Sequence, residues 1–216
     1  MAFVDRQDAG QRLAKAVAAL GLDWSDGGLV LGAARGGVLV AAPVASRLGA
    51  RLDVAVVRKI GAPHQPELAI GAVAENGSPL LNHDLIRRLR LGAPEVAVAT
   101  EGARRELTRR AAAYREGRAV PHLRGETVAL VDDGVATGAT IVALARWARS
   151  ESPATLVIAV PVGAPETLRM LADEADHVVA LERPRELRAV GEWYTDFHQV
   201  SDEEMMRVLR DGTAIS

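Results

Sequence analysis

The chain has 216 residues, a formal net charge of −2 and no cysteine, and 49% of its residues are hydrophobic. A chain of this length can bury roughly 70% of its unfolded surface, which predicts a single globular domain. The near-neutral charge argues against nucleic acid as a partner, and the absence of cysteine excludes disulfides and thiolate metal sites. No run reaches membrane-spanning length and residues 1–17 lack the apolar core of a signal peptide, so we expect no membrane partner and a cytoplasmic location.

Short apolar runs alternate with amphipathic stretches along the chain, a pattern typical of consecutive βαβ units. The predicted helices cover residues 8–20, 37–48 and 94–114. The predicted strands are rich in Val, Leu and Ala and cover residues 29–32, 52–57, 128–131, 155–161 and 177–181. Residues 61–77 contain many Gly and Pro residues, and we expect them to be too polar and interrupted for a core element. The predicted fold is therefore α/β, a doubly wound sheet of five parallel strands.

The most informative segment is VALVDDGVATGAT, residues 128–140. Its apolar start suits a parallel strand buried on both faces, and Asp132 and Asp133 follow directly. A loop of small residues then leads into a helical pattern. Ligands of open α/β sheets bind beyond the carboxyl ends of the strands. Loop N–H groups and the positive end of the helix can hold a phosphate, while the two carboxylates can accept hydrogen bonds from vicinal hydroxyls. The segment therefore suits a ribose 5-phosphate.

This segment resembles the motif with which type I phosphoribosyltransferases bind 5-phosphoribosyl-1-pyrophosphate (PRPP). The resemblance implies that Asp132 and Asp133 hold the ribose 2- and 3-hydroxyls and that the following loop cradles the 5-phosphate. The loop residues implied in binding are Gly134, Val135, Ala136, Thr137, Gly138, Ala139 and Thr140. Gly134 departs from the family pattern, in which an aliphatic residue is common. The alternative interpretation is an ordinary βα turn with a helix-capping Asp or Thr.

A second loop follows the first predicted strand and ends in Arg35, Gly36 and Gly37. The glycines permit close approach to an anion, and the arginine fork fits phosphate oxygens. The loop resembles the pyrophosphate-binding loop of the family, which often ends in Arg-Gly-Gly. That resemblance implies pyrophosphate contacts from Arg35 and from the backbone of Ala33, Ala34, Gly36 and Gly37. The alternative is a surface arginine in a tight βα turn.

Residues 58–78 resemble, in place and composition, the mobile loop with which family members close over the reaction centre. Arg58 and Lys59 are predicted to contact the pyrophosphate from the end of the second strand. His64 and Glu67 are weaker candidates for acid–base chemistry, because exposed polar loop residues more often have no chemical role.

Three of the chain's seven aromatic residues, Trp193, Tyr194 and Phe197, lie close together in the sequence. The resemblance implies a small C-terminal hood over the acceptor, here within residues 186–216, after a core of about residues 8–182. Trp193 and Tyr194 would then stack on a planar acceptor, worth about 1–3 kcal/mol. Equally, the rings would anchor the C-terminal tail onto the core. Ser201 begins a predicted helix with a capping-box-like start.

No histidine belongs to a recognisable metal-binding pattern. The resemblance implies that Mg²⁺ enters with PRPP and meets Asp132 and Asp133 mostly through PRPP and water. It also implies a homodimer that binds small-molecule substrates.

The leading hypothesis is a phosphoribosyltransferase that moves the 5-phosphoribosyl group of PRPP to an unidentified acceptor, expected to be a nitrogen heterocycle, and releases pyrophosphate. Asp132, Asp133, Arg35 and Lys59 would carry the catalysis. The alternative is a PRPP-sensing regulator or binding module on the same fold with little turnover. A weaker option is a phosphohydrolase or phosphorylase acting on a ribose phosphate. The motifs VRKIGAP, AAAYREG and EWYTDFHQVSDEE resemble those of an uncharacterised branch of the family. That resemblance does not indicate which acceptor is used.

Overall fold

A computed structural model describes residues 2–24 and 28–213. The chain, predicted as one domain, divides into two compact units. The first unit combines Met1–Ala55 with Val120–Ser216, and the second is Val56–Ala119. No helix among the described residues is long and apolar enough to cross a membrane.

The described strands are β1 (Leu29–Ala33), β2 (Arg51–Ala55), β3 (Val57–Ala62), β4 (Gln65–Ala74), β5 (Pro79–Leu81), β6 (Thr127–Val131), β7 (Thr155–Val162) and β8 (His177–Glu182). The described helices are α1 (Arg6–Ala18), α2 (Gly36–Leu48), α3 (His83–Arg88), α4 (Ala93–Arg115), α5 (Ala139–Ser150), α6 (Pro165–Ala172) and α7 (Asp202–Thr213). A short 3₁₀ helix covers Val190–Trp193.

The first unit is built on a five-stranded sheet in the order β2-β1-β6-β7-β8, with every neighbouring pair parallel. Its inner strands are apolar on both faces, as a sheet covered by helices requires. All of β1 is buried, and so are residues 128–131 of β6 and 156–162 of β7. The predicted α/β fold with five parallel strands is therefore confirmed.

The direction of winding reverses between β1 and β6. From β1 the chain crosses through α2 to β2 on one side, and from β6 it crosses through α5 to β7 on the other. Right-handed crossovers in opposite directions place α2 and α5 on opposite faces of the sheet. Ligands of doubly wound folds bind at such a reversal, outside the carboxyl ends of the two strands. The loops that follow β1 and β6 therefore flank the expected ligand crevice.

The second unit corrects the prediction of an irregular stretch over residues 61–77. These residues belong mostly to the antiparallel sheet β3-β4-β5. The glycines that suggested a loop permit close strand approach: a Cβ on Gly61 would lie 2.5 Å from the Pro66 carbonyl oxygen, and one on Gly71 2.4 Å from that of Leu80. Ile60 and Ile70 are fully buried in this unit.

An ion pair fixes the long helix of the second unit to its sheet. α4 packs against β3 and β4. The guanidinium of Arg115, near the end of α4, donates to both carboxylate oxygens of Glu75 over 2.6 and 2.8 Å, and each side chain is 2% exposed. The Val56 N–H donates to the same carboxylate. Such a pair stabilises only when both partners are present, since either charge alone would be buried without compensation.

The C-terminal residues that the structure describes, 186–213, belong to the first unit and pack onto it. α7 lies against α2 and β2, with Met205 and Leu209 fully buried. The Glu204 N–H donates to the Ser201 hydroxyl oxygen over 3.1 Å, so the predicted capped start of this helix is confirmed.

Candidate functional site

Two βα loops meet at the reversal of the sheet. Gly32 of β1 is paired with Val131 of β6, so the strands end side by side. The loops touch where the sequence has its glycine pair: a Cβ on Gly36 would lie 2.1 Å from Oδ2 of Asp133, and one on Gly37 would lie 2.7 Å from the Val131 carbonyl oxygen. The Gly-Gly pair after Arg35 is therefore required by the packing of the two loops, as well as suited to an anion.

The small-residue loop after β6 is braced from one side by β7 and α6. The Val135 N–H donates to the Val162 carbonyl over 2.8 Å. The Thr167 hydroxyl donates to the Ala136 carbonyl over 2.6 Å. Gly138 has a φ of 76°, and a Cβ there would lie 2.5 Å from the Thr167 side chain. These contacts hold the loop in one shape ahead of α5, as a preformed binding loop requires.

The start of α5 is open to an anion. Gly138 is the N-cap and provides no side-chain cap. The Val142 N–H makes the first bond of the helix, to the Gly138 carbonyl over 2.9 Å. The N–H groups of residues 139–141 therefore have no partner within the helix, and they carry the positive end of its dipole. Thr137 is exposed and Thr140 half-buried at the same place, where their hydroxyls can add donors to a phosphate.

The two predicted acids lie at the end of β6 with different partners. Oδ1 of Asp132 accepts from the Asp133 N–H over 2.9 Å. Oδ2 of Asp133 accepts from Nε of Arg6 over 2.8 Å, in an ion pair whose side chains are only 17% and 7% exposed. The acids are thus together at the crevice, as predicted, but Asp133 already has a cationic partner.

Arg6 is a site residue that sequence reasoning missed. It is the first residue of α1, and its Nη1 donates to the main-chain oxygen of His198 over 3.0 Å. Its guanidinium carbon lies 3.9 Å from the centroid of the Phe197 ring. An arginine in the first turn of a helix does not by itself indicate a site residue. Its partner Asp133 lies 127 residues away in sequence, so no local motif joins the two.

The acid pair is poorly hydrated, and this changes its proton affinity. Burial raises the pKa of Asp132 well above its usual range, and the neighbouring charge of Asp133 raises it further. Burial also raises the pKa of Asp133, while the Arg6 charge and hydrogen bond oppose that rise. Carboxylates of this kind gain more than exposed ones from additional hydrogen-bond donors, because donors stabilise the charged form. Vicinal sugar hydroxyls are suitable donors.

The loop after β1 presents Arg35 at the N-terminus of α2. The Arg35 side chain is 36% exposed, and its Nη1 lies 3.7 Å from Oδ1 of Asp202 at the start of α7. The Ala34–Arg35 peptide bond is cis. The Ala34 N–H donates to the Ala55 carbonyl over 3.0 Å, which corrects the prediction that this N–H faces an anion. Ala33 is the last residue of β1, and its predicted backbone contact stays a prediction.

Arg58 and Lys59 lie on β3 in the second unit, opposite Val73 and Ala72 of β4. Lys59 is exposed and Arg58 half-buried, and the pyrophosphate contacts assigned to them stay a prediction. His64 occupies the tight turn between β3 and β4 with a φ of 66°, a structural position typical of turns.

The aromatic cluster of Trp193, Tyr194 and Phe197 contains the ring that anchors the C-terminal segment to the core. Tyr194 is 2% exposed, and its ring centroid lies 5.3 Å from that of Phe3 and 4.9 Å from that of Phe197. The Tyr194 hydroxyl donates to the main-chain oxygen of Asp133 over 2.5 Å, and burial raises the pKa of this phenol. A ring this buried has no face to offer a ligand, which corrects the stacking prediction for Tyr194. Trp193 is half-buried, and its stacking role stays a prediction.

No group of three or more His, Asp and Glu side chains within residues 2–24 and 28–213 could hold a metal ion. The acid pair supplies two carboxylates, which is fewer ligands than a site built by protein alone would need. Two carboxylates do fit Mg²⁺ that arrives on substrate phosphates and keeps several waters.

Comparison with known proteins agrees with this geometry. Residues 6–184 match the family described as "Phosphoribosyl transferase domain". Proteins named "Putative phosphoribosyl transferase" in two strains of Mycobacterium tuberculosis are 44% identical over 207 residues, which is 96% of this chain. The chain spans 46% of their length.

Solved structures extend the comparison to the fold. A Thermus thermophilus crystal structure is 44% identical with a TM-score of 0.83, and the match covers 98% of this chain and 99% of that one. An Aquifex aeolicus structure, 12% identical with a TM-score of 0.50 over 86% of this chain and 76% of that one, shares the fold. With a family match over residues 6–184 and a 44% identical relative covered almost in full, the chain belongs to the phosphoribosyl transferase family.

Proposed function

We propose that this protein binds Mg-PRPP and transfers its 5-phosphoribosyl group to a nitrogen atom of a heterocyclic acceptor, releasing pyrophosphate. One observation carries the proposal: the open N-terminus of α5 and the half-buried pair Asp132 and Asp133 lie in one loop at the reversal of the sheet. The first feature binds a phosphate, and the second binds vicinal hydroxyls. A ribose 5-phosphate carries both groups, and membership of the family supports the same substrate class.

The 5-phosphate would lie against the N–H groups of residues 139–141. These groups and the hydroxyls of Thr137 and Thr140 supply donors without any basic side chain. Each hydrogen bond to a charged group contributes about 1.5–3 kcal/mol. Because Thr167 and Val162 already hold the loop in shape, little ordering cost is paid on binding.

The ribose would be held by the acid pair. Its hydroxyls would donate to oxygen atoms of Asp132 and Asp133, replacing water at carboxylates that burial has made poorly solvated. Those donors favour the ionised form of both acids. Mg²⁺ would arrive with the substrate and be held beside Asp132 and Asp133, mostly through substrate and water, where it would partly neutralise the phosphate charge. The chain would then need no metal cluster of its own.

The pyrophosphate would lie at the N-terminus of α2, beside Arg35. During transfer the bond between the anomeric carbon and the pyrophosphate oxygen breaks, a bond from that carbon to the acceptor nitrogen forms, and an acceptor that carries N–H at that atom loses this proton to solvent. Positive charge develops on the sugar ring while negative charge leaves with the pyrophosphate. Arg35 and the dipole of α2 would stabilise the departing anion, and the acid pair would stabilise the positive ring, which makes catalysis chiefly a matter of placed charges.

The proposal is tested by a pyrophosphate-release screen with Mg-PRPP against nucleobases, nicotinate-like acids and aromatic amines. We expect release with at least one acceptor, and at least 100-fold less with Asp132→Asn. Asp173→Asn, which changes an exposed aspartate at the end of α6, serves as the matched control and should retain wild-type release. Tight PRPP binding without release would favour a PRPP sensor, and phosphate release without an acceptor would favour a hydrolase. Absence of PRPP binding would contradict the proposal.

A further inference from the structure

The guanidinium of Arg6 is fixed from three directions. Nε donates to Asp133, Nη1 donates to the main-chain oxygen of His198, and the flat face lies over the ring of Phe197. The side chain is only 7% exposed. A guanidinium with this many contacts has little freedom to follow a moving carboxylate. Arg6 therefore restrains the position of Oδ2 of Asp133.

Asp133 is also held at two other points. The Tyr194 hydroxyl donates to its main-chain oxygen, and the absence of a side chain at Gly36 leaves the space that its carboxylate fills. The carboxylate and the backbone of Asp133 are thus fixed by α1, by the loop before α2 and by the C-terminal segment. These contacts give Asp133 a structural role in addition to the proposed role in binding the sugar.

Asp132 is less constrained by the protein. Oδ1 accepts from the backbone N–H of Asp133, while Oδ2 has no protein partner in the described part of the chain. The free oxygen leaves Asp132 better placed to accept sugar hydroxyls. Its orientation depends on Asp133 through that single backbone hydrogen bond, so anything that shifts Asp133 shifts Asp132 as well.

We propose that Arg6 is a positioning residue for the acid pair: by holding Asp133 at the end of β6 it orients Asp132, which accepts most of the sugar's hydroxyl hydrogen bonds. The inference rests on the proposed function, because it requires a phosphorylated sugar in this site. Arg6 itself does not need to touch the substrate. Its effect should therefore appear in affinity for the sugar and be small in affinity for phosphate, which binds at the start of α5.

Calorimetric titrations with ribose 5-phosphate and with inorganic phosphate separate these effects. The variants are Arg6→Gln, Asp133→Asn and the double variant, and the control is Arg12→Gln. Arg12 lies on the same helix, stacks on Phe3 at 4.6 Å and donates to the main-chain oxygen of Ala2, so it matches Arg6 in kind but not in its contact with the acid pair.

We expect Arg6→Gln to weaken ribose 5-phosphate binding about tenfold, because one hydrogen bond to a charged group contributes about a tenfold change in affinity or more. Phosphate binding should change by less than about twofold. Arg12→Gln should leave both affinities within about twofold. In the Asp133→Asn background, Arg6→Gln should add less than about twofold, because residue 133 no longer carries the charge that Arg6 holds in place.

Three results would overturn the inference. They are an unchanged ribose 5-phosphate affinity in Arg6→Gln, an equal loss for both ligands, or the same loss with and without the Asp133 carboxylate. If thermal unfolding shows that Arg6→Gln does not fold, Arg6→Lys replaces it in the same cycle. A lysine ammonium cannot bond to both His198 and Asp133 with the geometry of an arginine. We therefore expect Arg6→Lys to weaken ribose 5-phosphate binding about threefold, to leave phosphate binding unchanged, and to have this effect only when residue 133 is Asp. A wild type that binds phosphate but not ribose 5-phosphate would contradict the proposed function itself.

Discussion

Arg35, at the start of α2, lies 3.7 Å from Asp202, at the start of α7, so the guanidinium of the proposed pyrophosphate loop already faces a carboxylate. Both side chains are partly exposed, which limits such a pair to about 0–1 kcal/mol. Pyrophosphate would have to compete with Asp202 for this arginine. The contact therefore lowers anion affinity slightly in the unliganded protein.

Removing that competitor should tighten anion binding. We expect Asp202→Asn to raise the affinity for Mg-pyrophosphate by up to about fivefold, the equivalent of an exposed ion pair. Glu203→Gln makes the same charge change one residue along α7 and controls for the general loss of negative charge. Titration calorimetry at low ionic strength measures both. Equal gains in the two variants would show that the Arg35–Asp202 contact has no specific effect.

The second prediction concerns the contact between the two loops. In Gly36→Ala the new Cβ would lie 2.1 Å from Oδ2 of Asp133 and 2.8 Å from Nε of Arg6, so the buried ion pair must shift. We expect a loss of about 1–3 kcal/mol in the free energy of unfolding, as for other overpacked sites, and at least a tenfold loss of ribose 5-phosphate affinity.

Gly102→Ala is the matched control for that change. Gly102 lies inside α4, and a Cβ there would meet nothing within 4 Å. Alanine in an open helical position should stabilise the protein by about 0.5–1 kcal/mol. Urea unfolding measures both variants. A Gly36→Ala protein as stable as the wild type would show that the loops can separate without cost.

The third prediction concerns the pH dependence of stability. The pKa of Asp132 is raised in the folded protein by burial and by the charge of Asp133, so the folded state binds this proton more tightly than the unfolded state does. At pH values below the ordinary aspartate pKa of about 3.9 the carboxyl is protonated in both states. As the pH rises above it, ionisation costs the folded state more, and stability is lost until the raised pKa is passed.

Asp132→Asn should therefore be more stable than the wild type at neutral pH, and the difference should shrink towards pH 4. Each 1 kcal/mol gained would raise Tm by about 2–4 °C in a chain of this size. Thermal unfolding at a series of pH values, without metal or ligand, measures the difference. A variant that is less stable than the wild type at pH 7 would contradict the account of a poorly solvated acid.

The fourth prediction concerns the hydroxyl of Tyr194. Tyr194→Phe keeps the ring between Phe3 and Phe197 but leaves the main-chain oxygen of Asp133 without this donor. Losing a donor to a buried acceptor costs about 1–3 kcal/mol. We expect a lower urea midpoint and a modest, at most about tenfold, loss of ribose 5-phosphate affinity. An unchanged midpoint would mean that the Asp133 oxygen finds water instead.

The sheet and the phosphate loop were predictable because their signals are local. An apolar run such as residues 128–131 indicates a buried strand, and the small residues after Asp133 have to precede a helix at the carboxyl end of that strand. The same local logic failed for residues 61–77. There, glycines that let antiparallel strands approach closely, such as Gly71 against Leu80, look like loop residues in sequence.

The partners of the acid pair were not predictable because they depend on distant parts of the chain. Arg6 reaches Asp133 across 127 residues and Tyr194 reaches it across 61. Neither residue has a local pattern that marks it, and the aromatic cluster fitted a stacking role as well as an anchoring one. Only the packing of α1 and the C-terminal segment onto the end of β6 distinguishes these interpretations.

The central claim is that the acid pair and the loop beyond it bind a phosphorylated ribose. Its most direct test is calorimetric titration of Mg-PRPP into the wild type and into a Thr137→Ala, Thr140→Ala double variant. The account predicts one site per chain in the wild type and an affinity lower by about 100-fold or more in the double variant, since each hydroxyl donates to a charged group. No binding by the wild type, or equal binding by both proteins, would contradict it.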